Sequence, residues 1–541
     1  RYTLVHKSPI TGGWNDANSG GYFGPELKKA GYDAVFITGI SPKPVYLWIN
    51  DGHAEIRDAS HLWGRDTKET LEIIQRETGD PKVRVAAIGP SGEAQSLLSC
   101  PINDGHRAPA RGGGGAVMGS KKLKAVAVRG TGTVDVAHPD KIAAINKRIR
   151  DIIKENPFLQ TFAEHGTAFF TESAALSGDS PVKNWAGVGL IDYGEEGAGK
   201  LNIAAFDRYK KGKFACTSCP IGCGAHYSVP DGRWPLADTD RPEYETIASF
   251  GTNLLCSEVD AIIKCNDLCN RYGLDTISTG MTIAWAMECY DRGVLKKEEL
   301  DGLELSWGNG EAVVELVRKM AEREGCGAVL ANGSAYAAAT WGKGAEYLQT
   351  ASGIELPMHD PRFAPGYART YQYDPTPGRH VKGGLGILHQ TGQIENKYDY
   401  TGTGDADLQN TVNQEIINCA GFCNFRDMII PAEVIDEFIS AITGLDFGPE
   451  ERQATGLRIL NLRQAFNLRE GIRPADLTIS DRAVGNPPLQ AGPLEGVTID
   501  SELLFRNFYQ AAGWDLQTGK PSEAALQKLG HLDEVIKDLY R

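Results

Sequence analysis

Three cysteines stand close together in the segment Cys-Thr-Ser-Cys-Pro-Ile-Gly-Cys, at Cys216, Cys219 and Cys223. This spacing suits soft-metal ligation, because thiolates bind zinc and iron–sulfur clusters. A four-iron cluster needs four thiolates, so the run is one ligand short. The best candidate for the fourth is Cys423, because the small residues just before it would let the backbone approach a bulky inorganic group. A cluster at this place would carry electrons.

The alternative is a structural zinc site, in which His226 would join the three cysteines as the fourth ligand. Spacing alone favours neither site. Disulfides are disfavoured, because the eleven cysteines are an odd number scattered over a large chain without a secretory signal in view. Other cysteines lie in apolar patterns and are interpreted as small core residues: Cys100, Cys265, Cys269, Cys289 and Cys326.

Length and composition predict a large enzyme that is soluble and cytoplasmic. The chain has 541 residues, which predicts two or three domains. No apolar run is long enough to cross a bilayer. The net charge of -14 argues against a nucleic-acid ligand and is compatible with small molecules or with a partner on a local basic patch. The sequence begins at Arg1 rather than at methionine, and we expect part of the first domain to be missing.

The pattern along the chain predicts an α+β protein with a β-rich domain followed by two mostly helical domains. The expected boundaries are 1–135, 136–351 and 352–541. In the first domain we predict strands over 33–39, 44–50, 83–89 and 123–130, and a helix over 67–76. Later apolar residues at helical spacing predict helices over 141–156, 257–272, 277–292, 311–325, 431–444 and 451–471, and a loop-rich segment runs from 352 to 404.

Two glycine-rich segments are candidates for phosphate binding. In 103–115, Arg107 and Arg111 precede a run of four glycines, and backbone amides with guanidinium groups can hold a phosphate. The alternative is a flexible hairpin loop. The nucleotide-binding pattern Gly-x-x-x-x-Gly-Lys-Ser/Thr is absent. The segment 17–24 could serve the same ligand, and two such segments suggest a large phosphorylated cofactor.

A few acidic and histidine residues are candidates for proton transfer. Glu243 and Glu245 flank Tyr244, and paired carboxylates do acid–base work when burial shifts a pKa. The alternative is a solvated helix start. His380 lies in a predicted loop, although a single histidine is usually structural. Asp275 could simply cap the helix that follows it.

Taken together, these segments resemble the aldehyde:ferredoxin oxidoreductase family of tungsten enzymes over the whole chain. The motifs occur in family order: Lys-Ser-Pro-Ile-Thr-Gly, Ala-Asn-Ser-Gly-Gly-Tyr-Phe-Gly, Asn-Asp-Gly-His-Arg-Ala, Gly-Ala-Val-Met-Gly-Ser-Lys, Cys-x-x-Cys-Pro-Ile-Gly-Cys-Gly, Pro-Glu-Tyr-Glu, Gly-Leu-Asp-Thr-Ile-Ser and Ala-Gly-x-Cys. The resemblance implies a β domain that carries two pterins and two helical domains that close over them.

The resemblance also implies a set of cofactors. These are tungsten held by the dithiolenes of two pyranopterins, magnesium bridging the pterin phosphates, and a four-iron four-sulfur cluster. The implied cluster ligands are Cys216, Cys219, Cys223 and Cys423, which favours iron over zinc. The implied pterin-binding residues are Arg1, Asn18, Gly20, Arg107, Ala108, Arg111, Asn270, Leu274, Asp275 and Asn424, with Arg1 between pterin and cluster and Cys423 touching a pterin.

The resemblance assigns chemistry to two residues. Glu245 falls on the family's catalytic glutamate and would deprotonate the attacking water. His380 falls on its catalytic histidine and would hydrogen-bond the carbonyl oxygen. The expected reaction is oxidation of aldehydes to acids, reversible with a strong reductant, with electrons passing to ferredoxin or an iron–sulfur subunit. A branch of the family that reduces aromatic thioesters is the alternative; it lacks the features at Glu245 and His380.

Some positions depart from the family pattern. Where members that dimerise through a mononuclear iron carry a glutamate and a histidine, this chain has Lys264 and Val314, so we expect an oligomer without that iron. Asn270 replaces an aspartate and keeps hydrogen bonding without the charge. Asn418 stands where some members have an acidic group. Cys256 could approach the metal, but a packed cysteine is the favoured interpretation.

Overall fold

The structure is a computed structural model that describes residues 1–427 and 430–540, without the side chains of 426 and 427. The first part of the chain is built mainly of strands. The strands are β1 (Tyr2–Lys7), β2 (Trp14–Ser19), β3 (Val45–Asn50), β4 (His53–Asp58), β5 (Arg84–Ile88), β6 (Pro101–Asn103) and β7 (Leu123–Arg129). Four helices lie among them, α1 (Phe23–Lys29), α2 (Thr67–Thr78), α3 (Pro90–Glu93) and α4 (Gly114–Ser120).

Five of these strands form one mixed sheet in the order β4-β3-β7-β5-β6, in which only β3 and β7 run parallel. Strand β7 is central and nearly fully buried, as its sequence Leu-Lys-Ala-Val-Ala-Val-Arg suggests. Strands β1 and β2 form a separate antiparallel pair, in which Tyr2 lies opposite Ser19. This pair carries Asn18 and Gly20 towards the helical part of the chain.

The predicted strands over 44–50, 83–89 and 123–130 and the helix over 67–76 are confirmed. The strand predicted over 33–39 is wrong. The segment has no regular structure, and Phe36 in it is 92% exposed. A strand needs a neighbouring strand with free backbone groups. Just after this segment, the Ser41 amide instead donates a hydrogen bond to the carbonyl of Lys121, which lies in a turn.

The middle of the chain is mainly helical. Its helices are α5 (Pro139–Glu155), α6 (Pro157–His165), α7 (Thr171–Ser177), α8 (Gly194–Lys200), α9 (Ile203–Asp207), α10 (Tyr244–Phe250), α11 (Val259–Tyr272), α12 (Thr276–Asp291), α13 (Gly310–Glu322), α14 (Gly327–Leu330) and α15 (Ser334–Trp341). A small sheet that the sequence pattern did not predict lies among them. It is antiparallel in the order β10-β9-β8, made of β8 (Lys210–Phe214), β9 (Gly224–Val229) and β10 (Leu236–Asp240).

The last part of the chain begins with a short antiparallel pair, β11 (Thr350–Ala351) and β12 (Ile354–Glu355). The helices that follow are α16 (Gly366–Tyr373), α17 (Gly386–Gln390), α18 (Gly404–Cys419), α19 (Asn424–Asp427), α20 (Ala432–Thr443), α21 (Pro449–Arg469), α22 (Ser501–Ala512), α23 (Glu523–Leu529) and α24 (Asp533–Tyr540). The six later helices predicted from periodicity are confirmed within a few residues. Helices α16 and α17 interrupt the segment predicted to be loop-rich.

The largest core cluster lies in the middle region around α11, α12 and α13. It contains Cys265, Cys269, Cys289 and Cys326, and Cys100 is also fully buried, so their interpretation as core residues is confirmed. Cys256 belongs to the same cluster and is 1% exposed, as a packed cysteine should be. Among residues 1–427 and 430–540, no helix is both long and apolar enough to cross a membrane.

A buried ionic network ties the first part of the chain to the last. Arg463 from α21 contacts Asp16 in β2, Asp374 after α16 and Glu415 in α18. Asp16 also pairs with Lys382. These side chains are at most 10% exposed. Such a network fixes geometry more than it stabilises, because desolvation offsets much of the attraction between the charges. It holds β2 against the loop that carries His380.

Candidate active site

The four candidate cluster cysteines come from two loops. Cys216, Cys219 and Cys223 lie between β8 and β9, and Cys423 lies between α18 and α19. Burial is the main cause that raises the pKa of Cys219, and the charges of Cys423 and Cys216 raise it further. The sulfurs of the two loops are therefore close enough to interact electrostatically. Burial also raises the pKa of Cys223 to about 12. A bound cation would favour the thiolate form of Cys219 and Cys223.

His226 does not complete a compact site with the three cysteines. A tetrahedral zinc site places its ligand atoms about 4 Å apart, because each Zn–S bond is about 2.3 Å. Among the described residues, one group of three or more histidine, cysteine or acidic residues has its ligand atoms within 4.8 Å of one another. That group is Glu245, His359 and His380, and it includes neither His226 nor the three cysteines. His226 instead packs against the ring of Phe214, 4.7 Å between centroids. The three cysteine sulfurs do not converge within that distance either, so the described residues form no compact four-ligand site of this kind.

The loop after β2 closely approaches the cysteines. The Gly21 amide donates a hydrogen bond to Sγ of Cys216 at 3.2 Å. A β-carbon on Gly20 would lie 3.0 Å from the same sulfur, so a side chain there would be crowded. Arg1 lies beside this loop, because a β-carbon on Gly20 would also lie 3.9 Å from Nη1 of Arg1. Gly20 and Arg1 are therefore placed next to the sulfurs.

The run of glycines at 112–115 is buried and tightly packed. A β-carbon on Gly112 would meet Oδ1 of Asn15 at 1.9 Å, and the backbone there has a φ of +91°. The next two glycines pack similarly against Pro9 and Leu4. The flexible-hairpin alternative is therefore wrong. These glycines allow the loop to press against the β1–β2 pair and lead into α4.

Buried arginine atoms near this loop lack a hydrogen-bond partner. Nε of Arg107, Arg111 and Arg379 is buried and unpaired, as is Nε2 of His106. Burial, and then the neighbouring Arg111, lowers the pKa of Arg379 to about 10. Unpaired buried donors are costly, so a cluster of them indicates an anionic ligand. The sequence pattern identified Arg107 and Arg111 but missed Arg379.

Arg107 and Arg111 come from the first part of the chain and contact residues of the other parts. Arg111 donates from Nη1 to the carbonyl of Gly378 at 2.6 Å, and its Nε lies 3.5 Å from Asp275. Arg107 pairs with Glu243 at 3.0 Å. Ala108 is half-buried in the loop between the two arginines. The site therefore lies where the β-rich part of the chain meets the helical parts.

Asn18 is connected to Asn424 through two α18 side chains. Nδ2 of Asn18 donates to Asn418 at 3.0 Å, and Gln414 donates to both Asn418 (3.0 Å) and Asn424 (2.8 Å). This chain of neutral amides joins β2 to the loop that carries Cys423. Asn418 therefore accepts hydrogen bonds from Asn18 and Gln414 and contributes no charge.

The turn between α11 and α12 places three predicted binding residues. Asp275 caps α12 by accepting from the Ile277 amide at 3.1 Å, so the capping alternative is confirmed, and its second oxygen faces Arg111. Leu274 is 2% exposed. Asn270 donates to Asp240 at 3.1 Å. Asp240 is thus the acidic group beside the amide of Asn270. Burial raises the pKa of Asp240 to about 8.

Glu245 lies in the first turn of α10 and is the centre of a second group of residues. Its Oε2 accepts from the Met358 amide at 2.9 Å. Its Oε1 is buried without a hydrogen bond and lies 3.4 Å from Nδ1 of His380 and 3.6 Å from Nε2 of His359. Burial raises the pKa of Glu245, which is the direction that a general base near neutral pH requires.

His359 was missed by the sequence analysis. It lies in the loop after β12, and its Nδ1 is 3.0 Å from Asp179. Its ring stacks on Tyr244, 4.8 Å between centroids, and lies edge-on to His380 at 5.1 Å. Burial opposes the charged imidazole, but Asp179 and then Glu245 outweigh it and raise the pKa of His359.

His380 lies in a loop between α16 and α17, as predicted. Burial, and then the charges of His359 and Arg111, lowers its pKa well below the usual value. The imidazole is therefore neutral at physiological pH. A neutral ring donates from one nitrogen and accepts at the other, so it can hydrogen-bond a substrate oxygen while facing Glu245.

Comparisons with known proteins agree on one family. A family model described as "Aldehyde ferredoxin oxidoreductase, N-terminal domain" matches residues 1–130, and one described as "Aldehyde ferredoxin oxidoreductase, domains 2 & 3" matches residues 144–530. The chain is 38% identical to the tungsten-containing aldehyde ferredoxin oxidoreductase of Pyrococcus furiosus, over 98% of this chain and 87% of the relative. The corresponding protein of Thermococcus kodakarensis is 37% identical over the same shares.

A solved structure shares the fold. The active-site complex BamBC of benzoyl coenzyme A reductase, solved with 1,5-dienoyl-CoA, matches with a TM-score of 0.81 and 27% identity, over 99% of this chain and 86% of that chain. The α+β architecture, the unpaired arginines and the two family-model matches are consistent with one another. The chain belongs to the aldehyde ferredoxin oxidoreductase family.

Proposed function

We propose that this protein oxidises aldehydes to carboxylic acids with a tungsten bis-pyranopterin cofactor. The observation that carries the proposal is Glu245, whose Oε1 is buried without a hydrogen bond and faces two imidazoles. A buried carboxylate oxygen without a hydrogen bond is costly, and a catalytic role is a reason for the fold to retain it. The relatives from Pyrococcus and Thermococcus, which are named for tungsten and for aldehyde oxidation, support the substrate class.

The cofactor would be held by residues from all three parts of the chain. The Nε atoms of Arg107 and Arg111, which are buried without a hydrogen bond, support phosphate binding, and magnesium would offset the charge of the phosphates. The remaining contacts would come from Arg1, Asn18, Gly20, Ala108, Asn270, Leu274, Asp275 and Asn424. Bound there, the cofactor would accept the two electrons of the oxidation.

Electrons would leave through a four-iron four-sulfur cluster held by Cys216, Cys219, Cys223 and Cys423. Membership of the aldehyde ferredoxin oxidoreductase family supports the cluster over zinc. The acceptor would be a ferredoxin or an iron–sulfur subunit. We also propose the domain boundaries given above, a cytoplasmic location, and an oligomer without a bridging iron at Lys264 and Val314.

The proton steps belong to residues of this chain. An aldehyde becomes an acid by gaining a water oxygen and losing two electrons and two protons. Glu245 would take a proton from the attacking water. His380, neutral because burial disfavours its charge, would donate a hydrogen bond to the carbonyl oxygen and make the carbon more electrophilic.

An anaerobic assay with purified protein tests the proposal. Aliphatic and aromatic aldehydes should reduce a viologen dye, and elemental analysis should find tungsten (or molybdenum) and about four irons per chain. The matched control is Glu245→Gln, which should retain both metals and lose activity. One zinc per chain without tungsten would contradict the cofactor, and no dye reduction by fully loaded protein would contradict the reaction.

A second candidate function is reduction of an aromatic thioester. It is favoured by the backbone similarity to the complex solved with 1,5-dienoyl-CoA. The same dye assay, run with a dienoyl thioester as the electron donor, separates the two functions. We expect the aldehyde to react and the thioester to remain unchanged.

A further inference from the structure

We propose that His359 is a positioning residue that keeps Glu245 ionised, and that Asp179 holds His359 in place for this task. The inference deepens the proposed function and rests on Glu245 acting as the base. Nothing in the sequence pattern around His359 indicates such a role. It follows from an arrangement of carboxylate, imidazole and carboxylate that the fold assembles from distant segments.

The three groups lie in a line of short contacts. Oδ2 of Asp179 lies 3.0 Å from Nδ1 of His359, and Nε2 of the same ring lies 3.6 Å from Oε1 of Glu245. Both nitrogens of His359 thus face a carboxylate. A ring with a carboxylate on each side is favoured as the imidazolium, because each opposite charge stabilises it.

His359 has little freedom to turn away from these partners. Tyr244 stacks on one face of the ring, and Tyr367 lies 5.8 Å away between centroids at a small angle. The side-chain amide of Gln390 lies 2.8 Å from both Asp179 and His359. Tyr367 in turn donates to Gln390 at 2.6 Å. The ring is therefore fixed by packing as well as by charge.

The burial of Glu245 explains why a positively charged neighbour is needed. Its side chain is 16% exposed, and burial raises its pKa, which opposes the ionised form that a base needs. The charged or titratable groups that face this part of the site are Asp179, Glu245, His380, Tyr244, Tyr367, Tyr371 and the more distant Arg111. His380 is neutral, so His359 supplies the nearest positive charge.

The test is the pH profile of aldehyde oxidation by His359→Gln. Glutamine keeps a polar side chain but carries no charge. The pKa of Glu245 should rise, and the acid limb of kcat/KM should move to higher pH by about one to three units. The rate should fall at low pH and recover at high pH. Asp179→Asn leaves the imidazole in place but removes its anionic partner and should move the limb in the same direction by a smaller amount, because the charge of Asp179 also raises the pKa of Glu245 directly.

The matched control is His61→Gln. His61 lies 2.5 Å from Glu77 in another histidine–carboxylate pair, at the first sheet and away from Glu245. This variant should keep the wild-type profile. Tungsten and iron contents are measured for every variant, so that rates refer to loaded protein.

The outcomes separate the proposals. If loaded wild-type protein oxidises no aldehyde, the proposed function fails. If wild type is active but both variants keep its acid limb, the role of His359 fails while the function stands. Loss of activity at every pH in loaded His359→Gln would make His359 a substrate contact and overturn the positioning role. If neither variant takes up tungsten, the pair serves cofactor loading, which also overturns it.

Discussion

Glu243 and Glu245 stand two residues apart at the start of α10, in surroundings with opposite effects on their carboxyl groups. Glu243 pairs with Arg107 at 3.0 Å and accepts from Thr167 at 2.5 Å. Although its partial burial opposes the charge, Arg107, with the Thr167 hydroxyl and Arg241, outweighs this effect and lowers the pKa of Glu243. Glu245 has no arginine partner, and burial raises its pKa.

The difference shows that two carboxylates at the start of one helix can have separate roles. Glu243 joins the loop of Arg107 to the helical part of the chain and stays ionised. Glu245 is left with one oxygen unpaired between two histidines. Two carboxylates whose environments push their pKa values apart have separate tasks, and the group with the raised pKa is the one suited to exchanging protons.

Glu245→Gln should have the largest effect. Removing a general base costs about a hundred- to ten-thousand-fold in rate, and the amide cannot take a proton from water. We expect kcat to fall at least a thousandfold in the dye assay, with tungsten and iron contents unchanged. Substantial activity in the loaded variant would remove Glu245 from the mechanism.

His380→Asn should have the next largest effect. Loss of a hydrogen bond to a developing oxyanion costs about a hundred- to a thousandfold in kcat. Asparagine removes the ring that faces Glu245 but keeps a small polar group. A rise in KM without a change in kcat would instead indicate that His380 only binds the substrate.

The pH dependence of the wild-type enzyme follows from the shift at Glu245. The pKa of Glu245 is raised, so protonation removes the base as the pH falls through a value above the usual one of about 4.3. The rate should therefore decline on the acid side above that pH, with one proton involved. His380 should add no limb near neutral pH, because its pKa is lowered. A second acid limb near pH 6.5 would contradict its neutrality.

Glu243→Gln should have the smallest effect. The glutamate side chain is 41% exposed, so loss of its pair with Arg107 should cost about 1 kcal/mol in the free energy of unfolding. We expect kcat to fall by no more than about tenfold, in contrast to Glu245→Gln. Denaturant unfolding and the dye assay measure the two quantities. A loss equal to that of Glu245→Gln would end the distinction between the two carboxylates.

The sequence predicted what depends on local pattern. Helices such as α11 and α13 follow from apolar spacing, and the run from Cys216 to Cys223 is visible because its members are neighbours in the chain. The strand predicted over 33–39 failed because a strand depends on a partner, which no local pattern reveals. His359 was missed for a similar reason: its partner Asp179 lies far away in sequence, and neither residue belongs to a recognisable motif.

The resemblance to a known family contributed what local pattern could not. It pointed to Glu245 and His380 before any geometry was available, and the fold brings both to one place. It did not indicate Arg379, whose unpaired Nε appears only once the loops around Arg111 are folded. Residues that act by meeting a distant group are thus the ones that require a structure.

The ionic network around Arg463 has an evolutionary consequence. Arg463 contacts Asp16, Asp374 and Glu415, each from a different element, and Lys382 also pairs with Asp16, so a neutral residue at any one of these positions leaves a buried charged group with one partner fewer. Substitutions at these positions are therefore constrained together rather than one position at a time. In descendants of the same ancestor, a neutral residue at one position should be accompanied by a compensating change at another, and substitutions at these positions should appear together.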